Sequence, residues 1–209
     1  EANDTARERS WLKAQARDII LTTFYRSTSI CLSIGQEADS HYRRLGVPAN
    51  RIISSPYAVS TAPFQLGEHD RQQLRLRTRE KLGIEHHTPV VLFSGKLSNR
   101  KGVDLLLQAI AYLPEQDRPV MLVVGDGSLR DQIEQSSLPV RRFLVGFQPQ
   151  NRLSAWFHAA DLLALPSRHS ETWGLVVNEA LHHGLPAVVS DAVGCRHDLI
   201  HPGLTGEIC

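Results

Sequence analysis

At 209 residues the chain can hold one large α/β domain or one domain with part of another, and a hydrophobic fraction of 42%, about 49% with glycine included, excludes a largely disordered chain. Lys and Arg number 23 against 22 Asp and Glu, so the net charge of +1 gives no electrostatic reason to expect nucleic acid as a partner. The three cysteines, Cys31, Cys195 and Cys209, are widely spaced and fit neither a disulfide framework nor a thiolate zinc site, and no apolar run approaches the roughly 18 residues of a membrane helix, so a cytoplasmic location is expected.

Residues 1–20 are too charged for a signal peptide. The chain starts at Glu1 and its only methionine is Met121, so a fragment or processed piece is expected. From Thr5 to Thr23, charged residues alternate with Trp11, Leu12, Ala16, Ile19, Ile20 and Leu21 at helical spacing, which predicts an amphipathic helix whose apolar face needs a partner. Ser29–Ile34 reads as a buried strand, Glu37–Leu45 as a helix that Gly46 and Pro48 stop, and Ile52-Ile53 as another short strand. This β-α-β piece is too small to be a complete domain.

Residues 56–69 hold two prolines and a glycine without a hydrophobic period and read as an interdomain linker. Asp70 is expected to cap the next helix, in which Arg71, Arg75, Arg77, Arg79 and Lys81 decorate Leu74, Leu76 and Leu82 before Gly83 ends it. That basic run reads as a solvated helix face, with a phosphate or membrane-surface patch as the alternative.

After Pro89 the pattern becomes regular. Strands at Val90–Phe93, Val120–Val124, Phe143–Val145, Leu162–Leu165, Ala187–Ser190 and Glu207–Cys209 alternate with helices at Val103–Leu113, Leu129–Gln135, Arg152–His158 and Leu175–His183. Strands apolar throughout, separated by such helices, predict an α/β domain with a Rossmann-like, doubly wound parallel sheet.

Loops that follow such strands open on one edge of the sheet, where ligands of open α/β sheets bind. Ser94–Gly102 brings Lys96, Arg100 and Lys101 before a helix N-terminus and suits a diphosphate, although cations are common in exposed loops. Gly125-Asp126-Gly127 is a G-x-G turn without the third glycine of a dinucleotide fingerprint; it brings backbone close to a nucleotide or is simply a tight turn. Phe147, behind Gly146, either walls off a base or is a core phenylalanine.

The third loop, from Pro166, carries Glu171, and Glu179 follows about one turn inside the helix that Gly174 opens. Both acids can reach the mouth of the crevice while backbone N–H groups near Gly174, Leu175 and Val176 point between them at an anion. Carboxylates there suit sugar hydroxyls, which are donors; the alternative is two exposed acids favoured by the helix dipole. No pair of the ten histidines is set four apart with a glutamate, as in a zinc-binding helix, and no G-x-S-x-G elbow exists.

Glu171-x7-Glu179 after Pro166-Ser167, with Gly174 between the acids and Ala180, Gly184 and Pro186 behind, resembles the signature of the retaining glycosyltransferases of family 4 with the GT-B fold. Gly95-Lys96-Leu97 with Lys101-Gly102, Gly125-Asp126-Gly127, and Ser190-Asp191 with Gly194 resemble the other donor-site segments, and the likeness covers about residues 29–209. The resemblance implies that Lys101 holds the diphosphate of a UDP-, GDP- or ADP-linked sugar, with Lys96 in the place of the usual arginine. It also implies that Glu179 binds the ribose, that Glu171 contacts the transferred sugar, and that Gly95, Gly125, Gly127, Phe147 and the backbone of Gly174, Leu175 and Val176 complete the donor site. Lysine at Lys96 lacks the bidentate fork of arginine, and Cys195, where a second glycine is common, is expected to make the loop after Asp191 less open.

Further implications of the resemblance are a metal-independent transfer with retention of configuration to a glycan or lipid-linked acceptor, as in cell-surface, exopolysaccharide or lipopolysaccharide synthesis, and peripheral membrane contact through an N-terminal domain largely outside the sequence. Residues 1–58 would end that acceptor-side domain, 59–87 would link, and 88–209 would bind the donor without the final helices, so this chain alone is expected to bind and not to turn over. Two rival readings remain at this point: another GT-B enzyme, such as an epimerase or a phosphorylase, and a non-catalytic nucleotide-sugar-binding module.

Overall fold

The computed structural model describes residues 11–60 and 66–209. Helix α1 (Trp11–Arg26) leads into strand β1 (Cys31–Ser33), helix α2 (Gln36–Arg44) and strand β2 (Ile52–Ser54), and β1 and β2 pair in parallel with Cys31 opposite Ile52. The part of the expected first helix at residues 5–10 lies outside the described residues, as does linker segment 61–65. α1 touches α2 through an aromatic contact, Tyr25 meeting Tyr42 edge-on at 5.3 Å between centroids, and an ion pair, Asp18 with Arg44 at 2.5 Å. Among the described residues its apolar face finds no covering partner: Trp11, Leu12, Ile19, Ile20 and Phe24 are all exposed, and no residue of the helix is buried.

Helix α3 (Glu68–Lys81) starts two residues before Asp70, with Gly67 at its N-cap and no side-chain cap, so Asp70 sits inside the first turn rather than capping it. The basic run is not a uniformly solvated face either. Arg79 is buried, donating through Nε to the carbonyl of Ala159, through Nη1 to those of His86 and Thr88, and through Nη2 to Asp161 at 2.7 Å. Arg75 takes the other carboxylate oxygen of Asp161 at 2.6 Å, and Asp161 also accepts the Val90 backbone N–H. A charge buried this way is tolerated because almost every guanidinium proton is satisfied.

The second sheet is six-stranded and wholly parallel, in the order β5-β4-β3-β6-β7-β8: β3 (Val90–Ser94), β4 (Val120–Val124), β5 (Arg142–Gly146), β6 (Leu162–Leu165), β7 (Ala187–Val189) and β8 (Gly206–Ile208). The period-2 alternation of the strands separates two cores. Val90, Leu92, Leu122 and Leu163 face α6 (Gln150–Ala159) and α7 (Leu175–His182), with Phe157, Val177 and Ala180 between them. On the other face Phe93, Met121 and Val123 meet Leu106, Leu107 and Ile110 of α4 (Val103–Tyr112) and Ile133 of α5 (Arg130–Glu134). A short α8 (Arg196–Leu199), too brief for hydrophobic periodicity to reveal, follows β7.

Helices on both faces of a parallel sheet confirm the doubly wound α/β fold. Strand order turns at β3, with β4 and β6 on either side of it, so the loops after β3, β4 and β6 converge on the crevice at its carboxyl end.

Candidate functional site

The loop after β3 is pinned before it reaches the crevice. Gly95 N–H donates to Val124 O and Leu97 N–H to Asp126 O, both at 2.9 Å, and the Leu97 side chain is fully buried. The glycines of the β4 turn permit this closeness: a Cβ on Gly125 would overlap the carbonyl oxygen of Gly95, and one on Gly127 that of Leu97. Their immediate structural use is loop-on-loop packing.

A cavity of about 510 Å³ lies between this loop and the one after β6, and Lys101, Glu171, Gly174, Leu175, Val176 and Glu179 all line it. Lys101 Nζ is 2.5 Å from Glu171 Oε2. Arg100 Nη1 approaches the same oxygen at 3.3 Å, and the Ser167 hydroxyl donates to it at 3.1 Å. Glu171 is only 8% exposed, so these partners offset the cost of a nearly buried carboxylate. Its backbone carbonyl accepts from Gly194 N–H at 2.8 Å, which ties the loop to the segment after β7.

Gly174 is the N-cap of α7 at φ 96°, a left-handed conformation that glycine adopts without strain, and no side chain caps the helix. The first backbone N–H groups of α7, at Leu175 and Val176, therefore meet the cavity without an intrahelical acceptor and carry the positive end of the helix dipole. Glu179, one turn in, accepts from Gln150 Nε2 at 2.8 Å.

A second cavity, of about 600 Å³, shares Ser94 and Gly95 with the first and is lined also by Lys96, Gly125, Phe147 and Gln150. The structure thus divides the expected site residues. Lys101, both glutamates and the α7 N-terminus gather in one cavity, Lys96, Gly125 and Phe147 in the adjoining one, Gly95 belongs to both, and Gly127 lines neither. Phe147 is 77% exposed, which excludes the core-phenylalanine alternative.

Several contributors had no sequence signal. Tyr57, in what reads as linker, and Trp173 line the first cavity and meet edge-on at 5.9 Å. Arg168 clamps the two loops together: its guanidinium pairs with both oxygens of Asp104 at 2.7 and 2.8 Å and donates to Asn99 O at 2.7 Å. That fork holds the Asp104 carboxyl below its usual range, with the guanidinium raised in return. Cys195 is fully buried with its thiol 4.0 Å from Gly174 O, and burial pushes it up to about 12, so it fills space behind the α7 N-terminus as a neutral thiol. Among the described residues no group of three or more His, Cys, Asp or Glu could hold a metal ion, and no helix is long and apolar enough to cross a membrane.

Comparison with known proteins bears on these loops. The family described as "Glycosyl transferases group 1" matches residues 75–209. A D-inositol 3-phosphate glycosyltransferase of Xylanimonas cellulosilytica is 34% identical over 176 residues, 81% of this chain and 42% of the relative. An alpha-D-kanosaminyltransferase of Streptomyces kanamyceticus is 28% identical over 188 residues, 88% of this chain and 47% of the relative. Among solved structures, Anabaena Alr3699/HepE in complex with UDP superposes with a TM-score of 0.76 at 24% identity, over 94% of this chain and 54% of that one. WaaG, a glycosyltransferase involved in lipopolysaccharide biosynthesis, does so with a TM-score of 0.69 at 22% identity, over 99% and 60%. The chain therefore spans less than half the length of these curated relatives.

Proposed function

Because the chain belongs to the group 1 glycosyl transferases, we propose that it carries the donor side of a transferase that uses a nucleoside-diphosphate sugar. The observation that supports this most is the convergence, in one cavity, of Lys101, Arg100 and the uncapped α7 N-terminus with Glu179 beyond them. Cations and free N–H groups suit a diphosphate, whereas a carboxylate suits the hydroxyls attached to it. The adjoining cavity, with exposed Phe147 and the Gly125 turn, would take the base, and Lys96 would meet the diphosphate from that side.

In this reading, cleavage of the bond between anomeric carbon and diphosphate builds negative charge on the leaving group, which Lys101, Lys96 and the α7 dipole stabilise. The sugar gains oxocarbenium character, and Glu171, beside Lys101, orients it. No metal ion is needed for either task, and attack by the acceptor on the face the diphosphate leaves would retain configuration. The acceptor would be a sugar, glycan or lipid-linked hydroxyl, consistent with roles in polysaccharide or cell-surface synthesis. Residues 1–58 would end the acceptor-side domain, 59–87 would link and 88–209 would hold the donor. The remainder of the acceptor side would cover the apolar residues exposed on α1.

UDP, GDP and ADP, tested with their sugars in a thermal-shift panel on this chain, measure the proposal directly; UDP is the first probe because HepE was solved with it. Stabilisation by one nucleoside diphosphate, absent with the nucleoside alone, is expected, and no shift with any of them contradicts the reading. With the full-length protein, an NMR assignment of the product's anomeric configuration tests retention.

A further inference from the structure

The sugar-side loop does not stand on the six-stranded sheet alone. Trp173, between Glu171 and Gly174, is 6% exposed and is held from both parts of the molecule. From its own side, its Nε1 donates to Asn178 Oδ1 at 2.7 Å and its carbonyl accepts from Cys195 N–H at 2.9 Å. From the other side, Gly35 lies so close that a Cβ there would overlap the six-membered part of the indole and Oδ2 of Asp198.

Gly35 is itself anchored. The N–H of Gln36, the next residue, donates to both oxygens of Asp198 at 3.1 Å, and the Gln36 side chain donates to His197 O at 2.8 Å. Glu37 pairs with Arg196 at 2.5 Å in a setting where neither is more than a quarter exposed. The start of α2 is thus capped by a carboxylate from α8, and the cap presses Gly35 onto Trp173.

We infer that Trp173 is a positioning residue that keys the β1–α2 junction to the Glu171 loop, so that the anchorage of α2 on Asp198 and Arg196 sets the geometry of the cavity. The physical reason is close packing: an aromatic ring wedged between Gly35, Tyr57 and the start of α7 transmits a displacement of either part instead of absorbing it. A one-residue slip at Gly35 would reach Glu171 through two backbone bonds, Gly194 N–H to Glu171 O and Cys195 N–H to Trp173 O.

The test is a steric suppressor series on the 209-residue chain. Gly35 has extended backbone, so Gly35→Ala adds a methyl against the indole and against Asp198 Oδ2; Trp173→Phe removes the ring atoms it strikes, and the Asp198 carboxylate, the end of a flexible side chain, is free to shift. Gly35→Ala is expected to speed amide exchange at Gly194 and Cys195 about tenfold, leaving β3 and β4 protected, and the Gly35→Ala/Trp173→Phe double variant to restore it. Gly67→Ala, whose Cβ would meet nothing nearer than 3.9 Å, is the control expected to change neither.

If Gly35→Ala does not fold, Trp173→Leu opens the same contact without overlap and is expected to speed the same amides. Unchanged exchange in these variants, or failure of Trp173→Phe to restore it, overturns the inference. A second readout rests on the donor reading above: UDP affinity should fall about tenfold in Gly35→Ala and recover in the double variant. Absence of UDP binding by the unaltered chain would count against the donor reading alone, because amide exchange tests the keying without ligand.

Discussion

Glu171 places a negative charge in a wall that is otherwise cationic, 2.5 Å from Lys101 and 3.3 Å from Arg100. It is the counter-ion of the groups that would meet a diphosphate, and a ligand must compete with it. Glu171→Gln is therefore expected to bind UDP at least as tightly as the unaltered chain in calorimetry, while the same change in the full-length protein abolishes transfer. A large loss of UDP affinity would instead place Glu171 on the nucleotide. Glu179 has the opposite expectation. Removing an acceptor of hydroxyl donors costs on the order of 1.5–3 kcal/mol, so Glu179→Ala should weaken UDP by about tenfold or more.

Behind α7, the charge of His158 tests a different property, stability. The residue is 9% exposed with Nε2 unpartnered, and burial, with His183 and Arg71 nearby, lowers its pKa from 6.5 to about 4. The unfolded chain therefore binds the proton more readily between those values. The stability His158 contributes is complete above about 6.5 and is lost as the pH falls through about 4, a swing of about 3 kcal/mol. His183, also lowered chiefly by burial, acts in the same direction. His158→Leu should flatten the dependence of melting temperature on pH across that window; a variant with the same slope as the parent would contradict this account.

At the scale of elements, Arg79 fastens α3 to the sheet. Its guanidinium satisfies the carbonyls of Ala159, His86 and Thr88 besides pairing with Asp161, and all of these would lose a partner together. Arg79→Met, which keeps the aliphatic stem, should cost about 3 kcal/mol or more in denaturant unfolding, whereas Arg77→Ala on the same helix should cost little. Equal effects would mean that the basic run is the solvated face its sequence suggests. The reason it is not lies 82 residues away: Asp161 precedes β6, and nothing near Arg79 in sequence announces that partner.

For the molecule as a whole, the six-stranded sheet was legible because its strands are buried on both faces and so read as apolar runs, Val120–Val124 most plainly. Glu171, Gly174 and Glu179 were legible because a strand end, a glycine and a helix start fix their places by local geometry. What escaped was contact between distant segments. Tyr57 reads as linker, and nothing local to Trp173 or Arg168 announces Tyr57 or Asp104 as a partner. The exposed residues of α1 show a further limit, since helical spacing reveals apolar side chains but not what covers them.

A titration decides whether the cavity beside Lys101 and the α7 N-terminus receives a nucleoside diphosphate. Isothermal calorimetry of this chain with UDP, with uridine, and with UDP against Lys101→Ala should give saturable one-to-one binding of UDP, about tenfold or more weaker binding of uridine, and a comparable loss in the variant. Equal affinity for UDP and uridine, or a Lys101→Ala chain that binds UDP as well as its parent, would contradict it.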